Sequence, residues 1–160
     1  MAQILRPTGL DYINNLHDLN WKDPSYYTTD DWGIFADQSD ATTCGPFRSS
    51  GSNAYALLTF TFPAALESGP TKAYFRVNKI QAGAKMKIEL RSGTTVLRSY
   101  TSPELTAWVD LHTSDYTITD YSNIKVKIIG GNTNTAQCSE VWLEVPDSLS
   151  GVGLEMGCNF

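Results

Sequence analysis

Residues Thr117–Ile129, TITDYSNIKVKII, decide the fold class. Ile124, Val126 and Ile128 fall on alternate positions with Lys125 and Lys127 between them. This is the period-two pattern of a strand with one face on a core and the other in water. Upstream, Lys85–Tyr100 reads as a hairpin. Met86, Ile88 and Leu90 face inward, Lys85, Lys87, Glu89 and Arg91 face water, and Ser92-Gly93 supplies a turn where glycine accepts a positive φ. Downstream, Cys138–Val145 puts Val141, Leu143 and Val145 on one face and Glu140, Trp142 and Glu144 on the other.

The same reading places strands at Lys72–Asn78, Thr106–Leu111 and Ala54–Phe62, the last apolar on both faces and therefore an inner strand. Residues 1–53 are rich in Asn, Asp, Pro and Ser, which favour turns. Only short strands near Ile4–Arg6 and Trp32–Ala36 are expected there, with 37–53 as a loop. No window of ten residues is amphipathic at helical period. The expected fold is an all-β antiparallel sandwich of jelly-roll type, with about eight strands and no substantial helix. Residues 1–146 form the expected domain, and 147–160 a tail beyond the closing strand.

Composition narrows the function classes. At 160 residues the chain suffices for one domain. No apolar run approaches the roughly 20 residues of a membrane span. The opening MAQILRPTG has neither the basic nor the apolar part of a signal peptide, so synthesis without secretion is expected. Of the net −5, residues 1–40 account for all: seven acids against Arg6 and Lys22, leaving ten acids and ten bases elsewhere. No basic stripe follows a phosphate backbone, which argues against nucleic acid. Cys44, Cys138 and Cys158 are too scattered for a zinc site, and reduced thiols are expected, with a Cys44–Cys138 bridge as the alternative.

GPTKAYFRV (69–77), KMKIELRSGTTVLRSY (85–100), TAWVDLHTSDYTITDYSNIKVKII (106–129) and QCSEVWLEVPD (137–147), taken in order, resemble jelly-roll virion proteins of tailed bacteriophages. The resemblance covers roughly 70–147, with weaker matches at the RPTG of 6–9 and at Trp21, and its shape is also galactose-binding-like. It implies a capsid decoration (cement) protein: a homo-oligomer such as a trimer, bound to the major capsid protein on the virion surface after synthesis in the host cytoplasm. It implies no cofactor, nucleic acid or membrane. The alternative is a carbohydrate-binding module of a tail or fibre that recognises host glycans.

Candidate sites follow from side-chain chemistry. In the tail, DSLSGVGLEMGCNF, alternating Val152, Leu154 and Met156 with terminal Phe160 suit strand addition to a neighbouring subunit, against the plainer reading of a frayed end. Trp21, Tyr26, Tyr27 and Trp32 suit sugar stacking or interface packing, whereas Trp108 and Trp142, within strands, are expected in the core or at subunit contacts. Asp30, Asp31, Asp37 and Asp40 are weighed as Ca²⁺ ligands and read as a solvated acidic face. His17 and His112 lie near no nucleophile motif. Glu140, Glu144 and Asp110, on strands with an apolar opposite face, read as the wet side of a sheet and not as hydrolytic carboxylates. No enzyme is expected.

Overall fold

The computed structural model describes residues 2–14, 17–18, 33, 35–36, 43–47, 55–64 and 66–147, with backbone alone at 13–14, 17–18 and 44. Twelve strands run through them: β1 (Ala2–Leu5), β2 (Pro7–Asn14), β3 (His17–Asp18), β4 (Cys44–Phe47), β5 (Tyr55–Phe60), β6 (Gly69–Lys79), β7 (Met86–Ser92), β8 (Thr95–Thr101), β9 (Val109–His112), β10 (Tyr116–Ile118), β11 (Ile124–Gly130) and β12 (Ala136–Pro146). They form two antiparallel sheets. The five-stranded sheet has the order β2-β5-β11-β7-β8. In the seven-stranded sheet β6 and β12 pair at the centre; β9 and β10 share the far edge of β6, and β1 and β4 share the far edge of β12, with β3 beyond β4.

Alternation builds the core. Ala73, Phe75, Val77, Val141, Leu143 and Val145 point inward from the seven-stranded sheet and are fully buried. They meet Ala56, Leu58, Met86, Ile88, Val126 and Ile128 of the other sheet, equally buried. Burying these side chains is the main force joining the layers, at about 25 cal/mol per Å² of apolar surface removed from water. The hairpin turns where expected: Gly93 has φ +56°, and its N–H donates to Asn123 O at 2.9 Å.

The all-β sandwich holds, and several expectations change. Twelve strands replace about eight, because β2, β3, β4 and β10 were not anticipated. Residues 7–14 are a full strand and not a loop, and β4 lies within the expected loop of 37–53. Gly33, Phe35 and Ala36 form a helical turn, closed by Ala36 N–H donating to Gly33 O at 3.0 Å, where a strand was expected. Phe35 is 1% exposed, so this turn inserts an aromatic ring into the core instead of pairing along a sheet. Finally, Glu89 is only 8% exposed although it lies on the outward side of β7, because neighbouring cations enclose it. β5 is an inner strand as expected, but only its Ala56–Leu58–Phe60 side is buried, and the other side is half-buried.

The cysteine register also resolves. Cys44 and Cys138 are directly opposed on β4 and β12. Cys138 is nonetheless a free, buried thiol whose Sγ donates to Glu140 O at 3.3 Å. Burial pushes its pKa up.

Candidate functional site

Each sheet turns one face to the core and one outward, and the outward faces carry the polar and aromatic chemistry. On the seven-stranded sheet, register brings Trp142 of β12 opposite Tyr74 of β6, and Tyr74 opposite His112 of β9. The Trp142 and Tyr74 rings stack at 5.1 Å and 8°, and Tyr74 meets His112 at 4.8 Å. Arg6, which follows β1 on the other side of β12, lays its guanidinium 5.2 Å from the Trp142 ring centre. Both faces of Trp142 and both faces of Tyr74 are therefore taken. Trp142 and Trp108 lie on this outer side, half-buried, and not in the core.

Charges on this face are matched as closely as its rings. Arg6 binds Glu140 at 2.8 Å, Arg76 binds Asp110 at 2.8 Å, and Lys72 lies 3.5 Å from Asp115. Tyr74 Oη–H donates to Glu144 at 2.7 Å. Burial, that hydrogen bond and the nearby Glu144 and Asp115 charges push the Tyr74 pKa up to about 12. Glu140, Glu144 and Asp110 thus each have a structural partner. His112 is held by contact of its Nδ1 with Thr113 O at 2.7 Å. An open groove of about 340 Å³ at the end of this face is lined by Lys72, Asp115 and Glu144 together with Pro70 and Pro146, and no aromatic ring borders it.

The five-stranded sheet differs. Tyr55 of β5 and Tyr12 of β2 stack at 5.3 Å and 24° on its outward face. Lys127 of β11 places its Nζ 4.1 Å from the Tyr55 ring centre. Among the described residues β2 is the edge strand and none beyond it stacks on Tyr12, which is 49% exposed. Burial, then the proximity of Tyr12, raises the Tyr55 pKa, while Arg91 pulls the other way. Lys125 pairs with Asp11. Glu89 is bound by Lys87 at 2.8 Å and lies 3.8 Å from Arg91 Nε. The result is a tyrosine with an open face beside a strip of charged and half-buried apolar groups, Leu57 and Ile129 among them.

Sequence reasoning did not single out this pair. Tyr55 was legible as the outward neighbour of inward Ala56, Leu58 and Phe60. Tyr12 was hidden because β2 carries register shifts between Pro7 and Gly9 and between Leu10 and Tyr12, which break the alternation. The expected aromatics Trp21, Tyr26, Tyr27 and Trp32 lie outside the described residues. So do the tail residues Val152, Leu154, Met156 and Phe160, and the aspartates Asp30, Asp31, Asp37 and Asp40. Among the described residues, no three His, Cys, Asp or Glu side chains group to hold a metal.

No protein-family model matches this sequence, and no curated protein does. Its fold finds likenesses among solved structures. One is the C-terminal carbohydrate-binding module (CBM6) of the marine laminarinase LamC from Zobellia galactanivorans. It gives a TM-score of 0.51 at 11% identity, over 92% of this chain and 100% of that one. Another is the carbohydrate-binding module CBM6cm-2 of lichenase 5A from Cellvibrio mixtus, in complex with cellotriose. There the TM-score is 0.46 at 13% identity, over 92% of this chain and 99% of that one. A Stig cyclase from Fischerella sp. TAU gives 0.41 at 12% identity, over 86% of this chain and 90% of that one. None of these links the chain to a bacteriophage particle. What the chain shares with the laminarinase module is the fold, an all-β sandwich of two antiparallel sheets.

Proposed function

We propose that this protein is a carbohydrate-binding module whose recognition surface is the outward face of the five-stranded sheet. The observation that carries the reading is the Tyr12–Tyr55 stack, with Tyr12 half in solvent on the edge strand. A tyrosine ring face is electron-rich and flat, so it packs on the C–H face of a pyranose ring, which is apolar and slightly positive. The adjoining Lys127, Lys125 and Asp11 supply donors and an acceptor for sugar hydroxyls, and such groups set orientation and selectivity. Tyr55, fixed between Tyr12 and Lys127, holds the platform rigid before any ligand arrives. The shared fold with a carbohydrate-binding module supports this reading.

Capsid decoration receives no support from the fold comparisons or from the described surfaces. The sugar-binding alternative accounts for an open aromatic ring that a purely structural face has no need to leave in water.

The test is isothermal titration of soluble polysaccharides against the native protein and Tyr12→Ala. Removing an exposed aromatic anchor is expected to weaken binding about tenfold or more, with little change in folding stability. Undiminished binding by Tyr12→Ala removes this face as the site, and binding to no glycan removes the function.

A further inference from the structure

The charge on the Tyr12 face points beyond sugar binding in general to a class of sugar. This step rests on the reading of that face as the recognition surface. Outward side chains of β7 and β11 include Lys87, Arg91, Lys125 and Lys127, opposed among the described residues only by Glu89 and by Asp11 of β2. Four cations meet two carboxylates, in a protein of net charge −5. The opposite outer face runs the other way, with Arg6, Lys72 and Arg76 against Glu140, Glu144, Asp110 and Asp115. Among the described residues, the cationic surplus is therefore local to the sheet that bears the open tyrosine.

Two of these cations are incompletely satisfied. Lys127 stands over the Tyr55 ring, and no carboxylate among the described residues forms an ion pair with it. Its ammonium can take an anion without breaking an existing ion pair, while the ring holds it beside the platform. Arg91 gives one guanidinium N–H to Thr94 O at 2.7 Å, but its buried Nε has no hydrogen-bond partner and Glu89 stays 3.8 Å away. Glu89 cannot neutralise the strip alone, being one carboxylate among Lys87, Arg91 and the cross-strand neighbour Lys127.

We propose that this face selects an anionic glycan, with a sugar ring on Tyr12 and an acidic substituent directed to Lys127. A lysine ammonium is a point charge that accepts either a carboxylate or a sulfate ester, so uronic-acid and sulfated polymers share the required chemistry.

The full-length protein is titrated with three soluble polymers, a polyuronate, a sulfated galactan and a neutral β-glucan, at roughly 0.02 M and 0.3 M salt, which differ severalfold in screening length. At least one acidic polymer is expected to bind more tightly than the neutral one and to lose about tenfold in affinity at the higher salt. Whether the polyuronate or the galactan does so distinguishes carboxylate from sulfate. Lys127→Gln is expected to remove about five- to tenfold of the low-salt affinity with an unchanged melting temperature. The salt dependence of the native protein provides the same test without any variant. Salt-independent binding of the neutral glucan that still depends on Tyr12 overturns the anionic class and leaves the recognition face standing. Binding to none of the three overturns both. Capture of a single-stranded oligonucleotide in preference to every acidic glycan overturns the ligand class in favour of a different polyanion.

Discussion

The outward faces of the two sheets combine aromatic rings with cations, and they use them to opposite ends. On the seven-stranded sheet the series Arg6–Trp142–Tyr74–His112 runs across four adjacent chain segments, so each inner ring is covered on both sides. On the five-stranded sheet the series Lys127–Tyr55–Tyr12 stops at the edge strand, and its last ring keeps an open face. Charge among the described residues follows the same division: closely paired on the first face, in cationic surplus on the second. An aromatic residue on a sheet surface is therefore a packing element or a binding element according to where its row of neighbours ends. Residue type alone does not separate the two.

The largest effect that separates the faces is expected at Trp142. Trp142→Ala removes a half-buried indole together with its stack on Tyr74 and its contact with Arg6. Full truncation of a buried aromatic costs 3–5 kcal/mol, so about 2–3 kcal/mol is expected here, read as a lower urea midpoint at constant m-value. Glycan affinity of the remaining folded protein should stay unchanged. A variant of native stability that has lost glycan binding would reverse the roles of the two faces.

A smaller effect is expected at Glu89, the carboxylate that holds the cations of the five-stranded face together. Glu89→Gln keeps the shape but removes the charge that Lys87 and Arg91 address. Breaking this nearly buried pairing should lower stability by about 1–2 kcal/mol, less than the loss for a fully buried pair because Lys87 itself reaches solvent. The same change raises the cationic surplus, so affinity for an acidic glycan should rise as stability falls. Calorimetric melting and titration on one preparation check both directions. A fall in both quantities would mean that Glu89 positions the ligand instead of opposing it.

How far the sequence discloses this division depends on local regularity. Where alternation is unbroken, as in Lys72–Asn78, Met86–Leu90, Ile124–Ile129 and Val141–Val145, strand, inward set and hairpin turn are all legible from residues alone. Along β2 they are not. Pro7, Gly9 and Asp11 read as turn formers, and the bulges beside Gly9 and Tyr12 shift the phase of the alternation. Gly9 also answers to a contact no local pattern contains: a Cβ on it would lie 2.7 Å from Thr59 Oγ1 on the neighbouring strand, so a side chain there would oblige Thr59 to shift. β4 is short and contains Pro46, so its strand character comes from pairing with β12 and β3 and not from propensity. Glu89 was assigned to water from its parity, and only its cross-strand and same-strand cations explain its burial. The candidate site was half visible, since Tyr55 follows from parity, whereas the open face of Tyr12 depends on which strand forms the edge.

The smallest effect is a pH dependence at Tyr74 of the packed face. The Tyr74 hydroxyl donates to Glu144, and its folded-state pKa lies near 12 against an ordinary value of 10.0. A pKa raised by folding means that the native state holds its proton more tightly than the unfolded chain does. The stability this contributes is complete below pH 10 and is lost as pH climbs from about 10 through about 12, where unfolded chains shed the tyrosine proton first. Tyr74→Phe keeps the stack with Trp142 and His112 but deletes the titrating group. Its urea midpoint should therefore fall less steeply than that of the native protein across this window, after a small loss at neutral pH from leaving Glu144 without its hydroxyl partner. If the Tyr74→Phe midpoint instead fell as steeply as that of the native protein, the close pairing of Tyr74 with Glu144 assigned to the seven-stranded face would be wrong.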